Sequence, residues 1–144
     1  MTDLSSASAE ETESAGESLG ATLRPADVVY LVGDLGAGKT CFARGLARGA
    51  GAPAAGVASP TFSIVHEYVD ATGRTVLRHL DLYRIADHAR DLESIGVPET
   101  LAGSPVAVEW PGGAIRELLP PTVEVEIARV GEQERTIRIT RKSS

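Results

Sequence analysis

Val28-Val29-Tyr30-Leu31-Val32-Gly33-Asp34-Leu35-Gly36-Ala37-Gly38-Lys39-Thr40 decides the fold. The first five residues are an unbroken apolar run, the pattern of a short strand buried on both faces. A loop with three glycines follows, and from Lys39 to Gly49 the spacing is helical, with Phe42, Ala43, Leu46 and Ala47 on the inward face. Gly33 to Thr40 matches G-x-x-x-x-G-K-[ST], here in the strand-to-helix context a phosphate-binding loop requires. Glycines let successive backbone N–H groups curl around an anion without Cβ clashes. The helix that starts near Lys39 aims its positive dipole end at the phosphates. Lys39 is placed to reach β and γ oxygens, and Thr40 to offer a hydroxyl to Mg²⁺.

Working outward, the chain reads as strand, loop and helix, then several strands. Residues 1–8 are expected to be a frayed, flexible start. Residues 9–23 read as an acidic, Ser-rich helix with Ala15, Leu19 and Leu23 on one face, ended by Pro25. Residues 49–58 form a Gly, Ala and Pro-rich connector. Ser63 to Val69 and Thr75 to Leu80 predict a hairpin around Thr72-Gly73. Residues 86–95 predict a short helix, Pro105 to Glu109 a short apolar strand, and Ile115 to Leu119 a turn or two of helix. Thr122 to Ala128 and Arg135 to Thr140 alternate around Gly131, a closing hairpin. This order predicts an α/β fold: one P-loop NTPase-like domain over 9–140, a central mixed β-sheet flanked by helices, and a tail at 141–144.

The composition is that of one ordinary domain. The 144 residues are 42% apolar, 24% charged and only 4% aromatic, so the core rests on Ala, Val, Leu and Ile. No apolar run approaches a membrane span, and the acidic first twenty residues do not resemble a secretory leader. A single cysteine, Cys41, permits no intrachain disulfide, which fits a reducing, cytoplasmic setting. Net charge is −6, of which residues 1–20 carry −5, so no basic face for tight, unaided nucleic-acid binding is expected. The mildly basic last sixteen residues read as a solvated strand and tail.

A P-loop enzyme needs an acid at a strand end to hold or orient a metal shell. Asp81 follows Thr75-Val-Leu-Arg-His-Leu80 and Glu109 follows Pro105-Val-Ala-Val108, both at predicted C-terminal strand ends, where ligands bind in open α/β sheets. One could bind the metal and the other the attacking water; the residues leave open which does which. Ser59-Pro60-Thr61-Phe62 reads either as a γ-phosphate-sensing loop or as a Pro turn starting a strand. His66, His79 and His88 lack metal-ligand spacing and read as surface or hydrogen-bonded histidines. Cys41 reads as a small core residue, and Trp110 as a core or partner contact. The chain has no Asn, so it lacks the N-K-x-D element of guanine-specific GTPases, and no S-G-G signature of ABC-type ATPases occurs.

Together, Gly33 to Thr40, Ser59-Pro-Thr-Phe62, His66-Glu-Tyr68, His79-Leu-Asp-Leu-Tyr-Arg84 and Val108-Glu-Trp-Pro111 resemble the TsaE (YjeE) family in order and spacing, from about residue 10 to 140. The resemblance implies a small bacterial P-loop ATPase required for N6-threonylcarbamoyladenosine on tRNAs that read ANN codons. It would act with TsaD and TsaB, with TsaC in the pathway, and meet tRNA only through that complex. It implies that Gly33, Asp34, Leu35, Gly36, Ala37, Gly38, Lys39, Thr40 and Cys41 cradle ATP or ADP. Thr40 and Glu109 become Mg²⁺ ligands, with Asp81 a second acid near the metal. Lys39, Asp81 and Glu109 carry the chemistry. Thr61 falls in a switch-like loop. Thr12, in an early acidic helix, and Arg135, in the last strands, contact the nucleotide, and Arg84 and Trp110 lie near the site or a partner. Cys41 stands where a second Thr is common, and Gly112-Gly113 where an acid is common. With Gln133 its only glutamine, the chain offers no Gln near the switch-like loop, which fits weak intrinsic hydrolysis completed by a partner. A non-hydrolysing ATP/ADP-binding adaptor of the same complex and a small-molecule kinase are the alternatives.

Overall fold

The computed structural model describes residues 1–34, 36–53, 65–82 and 103–142. The switch-like loop with Thr61, the helix expected over 86–95, Leu35 and Arg84 lie outside the described residues. Among these residues the elements run β1 (Thr2–Ser6), α1 (Ala9–Gly20), β2 (Val28–Val32), α2 (Lys39–Ala50), β3 (Val65–Val69), β4 (Thr75–Asp81), β5 (Val106–Glu109), α3 (Gly113–Leu118), β6 (Val123–Arg129) and β7 (Arg135–Arg141). The seven strands form one sheet in the order β1-β7-β6-β2-β5-β4-β3. Its centre, β6-β2-β5-β4, is parallel, and its margins are antiparallel: β3 on β4, and β7 on β6 with β1 beyond. The expected mixed sheet is therefore present, and so are both hairpins.

Period-two alternation of the strands sorts the core into two layers. Val29, Leu31, Leu77, Ala107, Val125 and Ile137 face α1 and α2 in one cluster. Val28, Tyr30, Leu80, Val106 and Val108 face the other side, where Ile115 of α3 closes them. The helical stripe of α2 is buried as its spacing predicts, with Phe42, Ala43 and Leu46 fully so.

Residues 1–8 correct the expectation of a frayed start. Thr2 to Ser6 pair with Ile139 to Arg135 as an antiparallel edge strand. The strand has almost no apolar pattern to announce it; only Ser6 is buried, and the β7 backbone supplies the pairing. The α1 helix then opens on a side-chain cap: Ser8 Oγ accepts from Glu11 N–H at 3.1 Å, and Glu11 Oε1 reaches back past the cap to accept from Ala7 N–H at 3.3 Å.

The thin apolar stripe of α1 also has a structural reason. Gly16 and Gly20 on α1, and Gly45 and Gly49 on α2, bring the two helix backbones together. A Cβ at Gly45 would lie 2.0 Å from Glu13 O, and one at Gly16 2.3 Å from Phe42 O. Two G-x-x-x-G rows face each other, so contact is backbone to backbone and needs few large side chains. Glu13 bridges Arg44 and Arg48 at the rim of this contact. The consequence for the site is that α1 holds Thr12 against the loop that precedes α2.

Candidate functional site

The phosphate loop joins β2 to α2 at the C-terminal edge of the parallel strands. Gly38 is the N-cap of α2 with φ 111° and ψ 16°, a left-handed conformation that a side chain would strain. Among the described residues no side chain caps this helix, and its first turn holds no acid, which leaves its positive end open to an anion. Arg135 of β7 secures the loop from outside: Nε donates to Ala37 O at 2.8 Å and Nη2 to Gly36 O at 3.3 Å. Because a peptide unit is planar and trans, fixing Ala37 C=O outward turns the Gly38 N–H the opposite way. The expectation of a solvated last strand thus fails at Arg135, while Arg138 does sit exposed, paired with Asp3.

Strand register supplies the two acids. Asp81 of β4 and Glu109 of β5 are directly paired, and Glu109 in turn pairs Leu31 of β2, one residue before the strand ends. Parallel neighbours point the same way, so both carboxylates face α2. Glu109 is only 3% exposed, and its Oε2 lies 3.5 Å from Thr40 Oγ1. Lys39 is 4% exposed. Its ammonium donates to Gly33 O and stands 3.4 Å from the centroid of the Trp110 ring. Burial pushes the Lys39 pKa down from its ordinary value, against the opposing pull of Glu109, Asp81 and Asp34. Trp110 itself has φ 60°, a strained backbone for a bulky residue.

Two cavities meet across the loop. One, about 280 Å³, is lined by Gly36, Gly38, Lys39, Thr40, Cys41, Asp81, Glu109 and Trp110. The other, about 270 Å³, is lined by Ala9, Thr12, Gly38, Cys41, Glu132, Gln133 and Arg135. Gly38 and Cys41 are common to both. The two cavities are therefore contiguous at the start of α2, and the second adds the polar side chains of Thr12, Glu132, Gln133 and Arg135. A larger hollow of about 350 Å³ lies elsewhere, along β1, β7 and β6 beside the exposed Asp3–Arg138 pair. It holds none of the converging chemistry, so the paired cavities are the better site.

The structure therefore brings together Thr12, Gly36, Gly38, Lys39, Thr40, Cys41, Asp81, Glu109 and Arg135. Ala37 is held by Arg135, and Gly33 by Lys39. Asp34 is exposed at the loop, and its carbonyl accepts from Ala37 N–H at 3.0 Å. Thr12 is buried, with its hydroxyl 2.6 Å from Ser6 Oγ, so it faces the second cavity while tied to β1. Cys41 is not a core residue: it faces the start of α1 rather than the sheet, is half-buried, and its Sγ donates to Ala9 O at 3.1 Å. Sequence reasoning missed Glu132 and Gln133, which reach the site only through the β6–β7 hairpin. It also missed that buried His79 lies 2.5 Å from Glu109 Oε2. His79-Leu-Asp81 spacing was the available signal, since residues two apart on a strand share a face.

Among the described residues no cluster of three or more His, Cys, Asp or Glu side chains forms a protein-only metal cage. The donors present, one hydroxyl and two carboxylates, are hard oxygens. They suit Mg²⁺, which takes few protein ligands alongside water and phosphate. No described helix is long and apolar enough to cross a membrane.

Comparison with known proteins identifies the family and the fold. The family model described as threonylcarbamoyl adenosine biosynthesis protein TsaE matches residues 6–137. The tRNA threonylcarbamoyladenosine biosynthesis protein TsaE of Bacillus subtilis is 43% identical over 133 residues, covering 91% of this chain and 80% of that protein. The protein of the same name from Treponema pallidum is 38% identical, covering 93% of this chain and 96% of its own length. Among solved structures, Bacillus subtilis YdiB superposes with a TM-score of 0.71 at 32% identity, over 99% of this chain and 86% of that one.

Proposed function

This chain belongs to the TsaE family of threonylcarbamoyl adenosine biosynthesis proteins, and we propose that it serves tRNA modification as a slow Mg²⁺-dependent ATPase. In this reading, ATP hydrolysis to ADP and phosphate supports turnover of a TsaB–TsaD complex. That complex installs N6-threonylcarbamoyladenosine on tRNAs that read ANN codons, and this protein meets tRNA only through it, in the cytoplasm. The observation that carries the reading is the convergence of Lys39, Thr40, Asp81 and Glu109 on one cavity at the open end of α2.

The chain's own residues define the chemistry. The Gly38 amide and the α2 dipole receive the phosphates, and Arg135 holds the loop carbonyls away from them. Lys39 exchanges Gly33 O and the Trp110 face for β and γ oxygens, so its charge is used where negative charge grows. Thr40 and Glu109, with Asp81 beside them, would hold Mg²⁺, which would supply charge neutralisation to the phosphates. The carboxylate not engaged in that role orients the attacking water. Thr12, Cys41 and Gln133 line the chamber for the nucleoside.

Hydrolysis and mere occupancy are separated by one experiment. Reconstituted TsaB–TsaD–protein complex is supplied with ATP or a non-hydrolysable analogue, and modified tRNA is counted per complex. Arrest after about one cycle with the analogue, and sustained turnover with ATP, supports the ATPase. Equal sustained turnover with both would replace it with a nucleotide-occupied adaptor.

A further inference from the structure

His79 belongs to neither the phosphate loop nor the paired acids, yet it lies nearer to the buried acid, Glu109, than Thr40 does. Its side chain is 5% exposed and that of Glu109 is 4%, with Nε2 and Oε2 2.5 Å apart. Nε2 closes no aligned hydrogen bond with any described group. A buried ring nitrogen without one is costly; a small rotation of either side chain completes the bond to Glu109. The surroundings are built for this ring. His79 pairs in register with Ala107, whose small side chain leaves room beneath Glu109. On its other side, His66 pairs with His79 across the β3–β4 ladder, and the two rings lie 6.1 Å apart at a 36° tilt. Glu109 Oε2 thus lies between the His79 ring and the Thr40 hydroxyl.

We infer that His79 is a positioning residue: it grips Oε2 of Glu109 from inside the sheet and aims the carboxylate at Thr40, setting the geometry of the cation shell. This rests on the nucleotide-site reading above. A glutamate side chain has several rotamers open to it, and a fixed partner selects one before the cation arrives. Outer partners of this kind are worth about 10–100-fold in metal affinity.

The test uses the full chain with saturating ADP and Mn²⁺ as the probe ion, bound Mn²⁺ being read by electron paramagnetic resonance. His79→Ala is expected to weaken Mn²⁺ binding about tenfold while ADP affinity in EDTA stays within about twofold. His79→Gln, which can return an N–H donor at the Nε2 position, is expected to restore most of the loss. In a Glu109→Gln background, His79→Ala is expected to add little further loss, because its target is gone. Unchanged Mn²⁺ affinity in His79→Ala overturns the inference and leaves the nucleotide site standing. Equal losses of Mn²⁺ and ADP binding in both His79 variants also overturn it, since that marks a core residue. Absence of Mn²⁺ binding to the wild-type ADP complex overturns the nucleotide-site reading, and this inference with it.

Discussion

Lys39 and Trp110 occupy each other: the ammonium sits 3.4 Å from the indole centroid, and its other partner is the carbonyl of Gly33, inside the phosphate loop. A phosphate must draw Lys39 away from both. Trp110 is the only tryptophan, so its emission reports that movement. Adding ADP or ATP is expected to change the emission, and Lys39→Ala is expected to abolish the response. Nucleotide affinity in Lys39→Ala should fall roughly 100-fold, the worth of about 3 kcal/mol of charge-assisted bonding. Emission that stays constant through saturation would place Lys39 elsewhere in the bound state.

Arg135 holds two loop carbonyls with two different nitrogens of one planar fork. Arg135→Ala is expected to weaken nucleotide binding about tenfold, or ~1.4 kcal/mol, by loosening the loop. Arg135→Lys should recover only part of this, because an ammonium cannot span both carbonyls in the same way. Titration calorimetry checks both variants. Full recovery with lysine would mean that charge alone matters.

The contact between α1 and α2 predicts a large effect from a single methyl group. At Gly45 a Cβ meets the Glu13 carbonyl at 2.0 Å, and backbone there cannot yield cheaply. Gly45→Ala should cost about 3 kcal/mol or more and lower the Tm by roughly 10 °C. At Gly131 the nearest atoms belong to the flexible Glu134 side chain, so Gly131→Ala should cost less than about 1 kcal/mol. Thermal melts of the two proteins give the comparison directly; similar Tm values would show that the helices separate easily.

The pH dependence of stability has a sign set by His66. Burial, and next the neighbouring His79, lower its pKa from the ordinary 6.5, against Asp81 and Glu109. The folded protein therefore binds fewer protons here than the unfolded chain. This contribution is complete above 6.5 and is lost as pH falls through the lower folded value. Melting curves between pH of about 7.5 and 5.5 should show falling Tm, and His66→Gln should flatten that fall. An unchanged slope in the variant would assign the acid sensitivity to other groups.

How much of this was readable in advance depended on whether a feature is local. β2, the phosphate loop and α2 form one continuous stretch whose periodicity and glycines act within a few residues, so they were legible, as were Asp81 and Glu109 at strand ends. β1 was not, because Thr2 to Ser6 carry almost no apolar pattern and are held by a strand more than 125 residues later. The α1 stripe looked thin because Gly16 and Gly20 pack by close approach, a signal carried by the absence of side chains. His79 looks like an ordinary histidine in the sequence, since its meeting with Glu109 depends on the β4–β5 register. Arg135 stands out only through the family resemblance, because nothing local ties it to Ala37, 98 residues away.

The most direct measurement is nucleoside mass spectrometry of bulk tRNA from cells depleted of this protein and rescued with wild type or Lys39→Ala. The predicted result is loss of N6-threonylcarbamoyladenosine on depletion, restored by wild type and not by Lys39→Ala. Unchanged modification after verified depletion, or full rescue by Lys39→Ala, would contradict a nucleotide-driven role in that pathway.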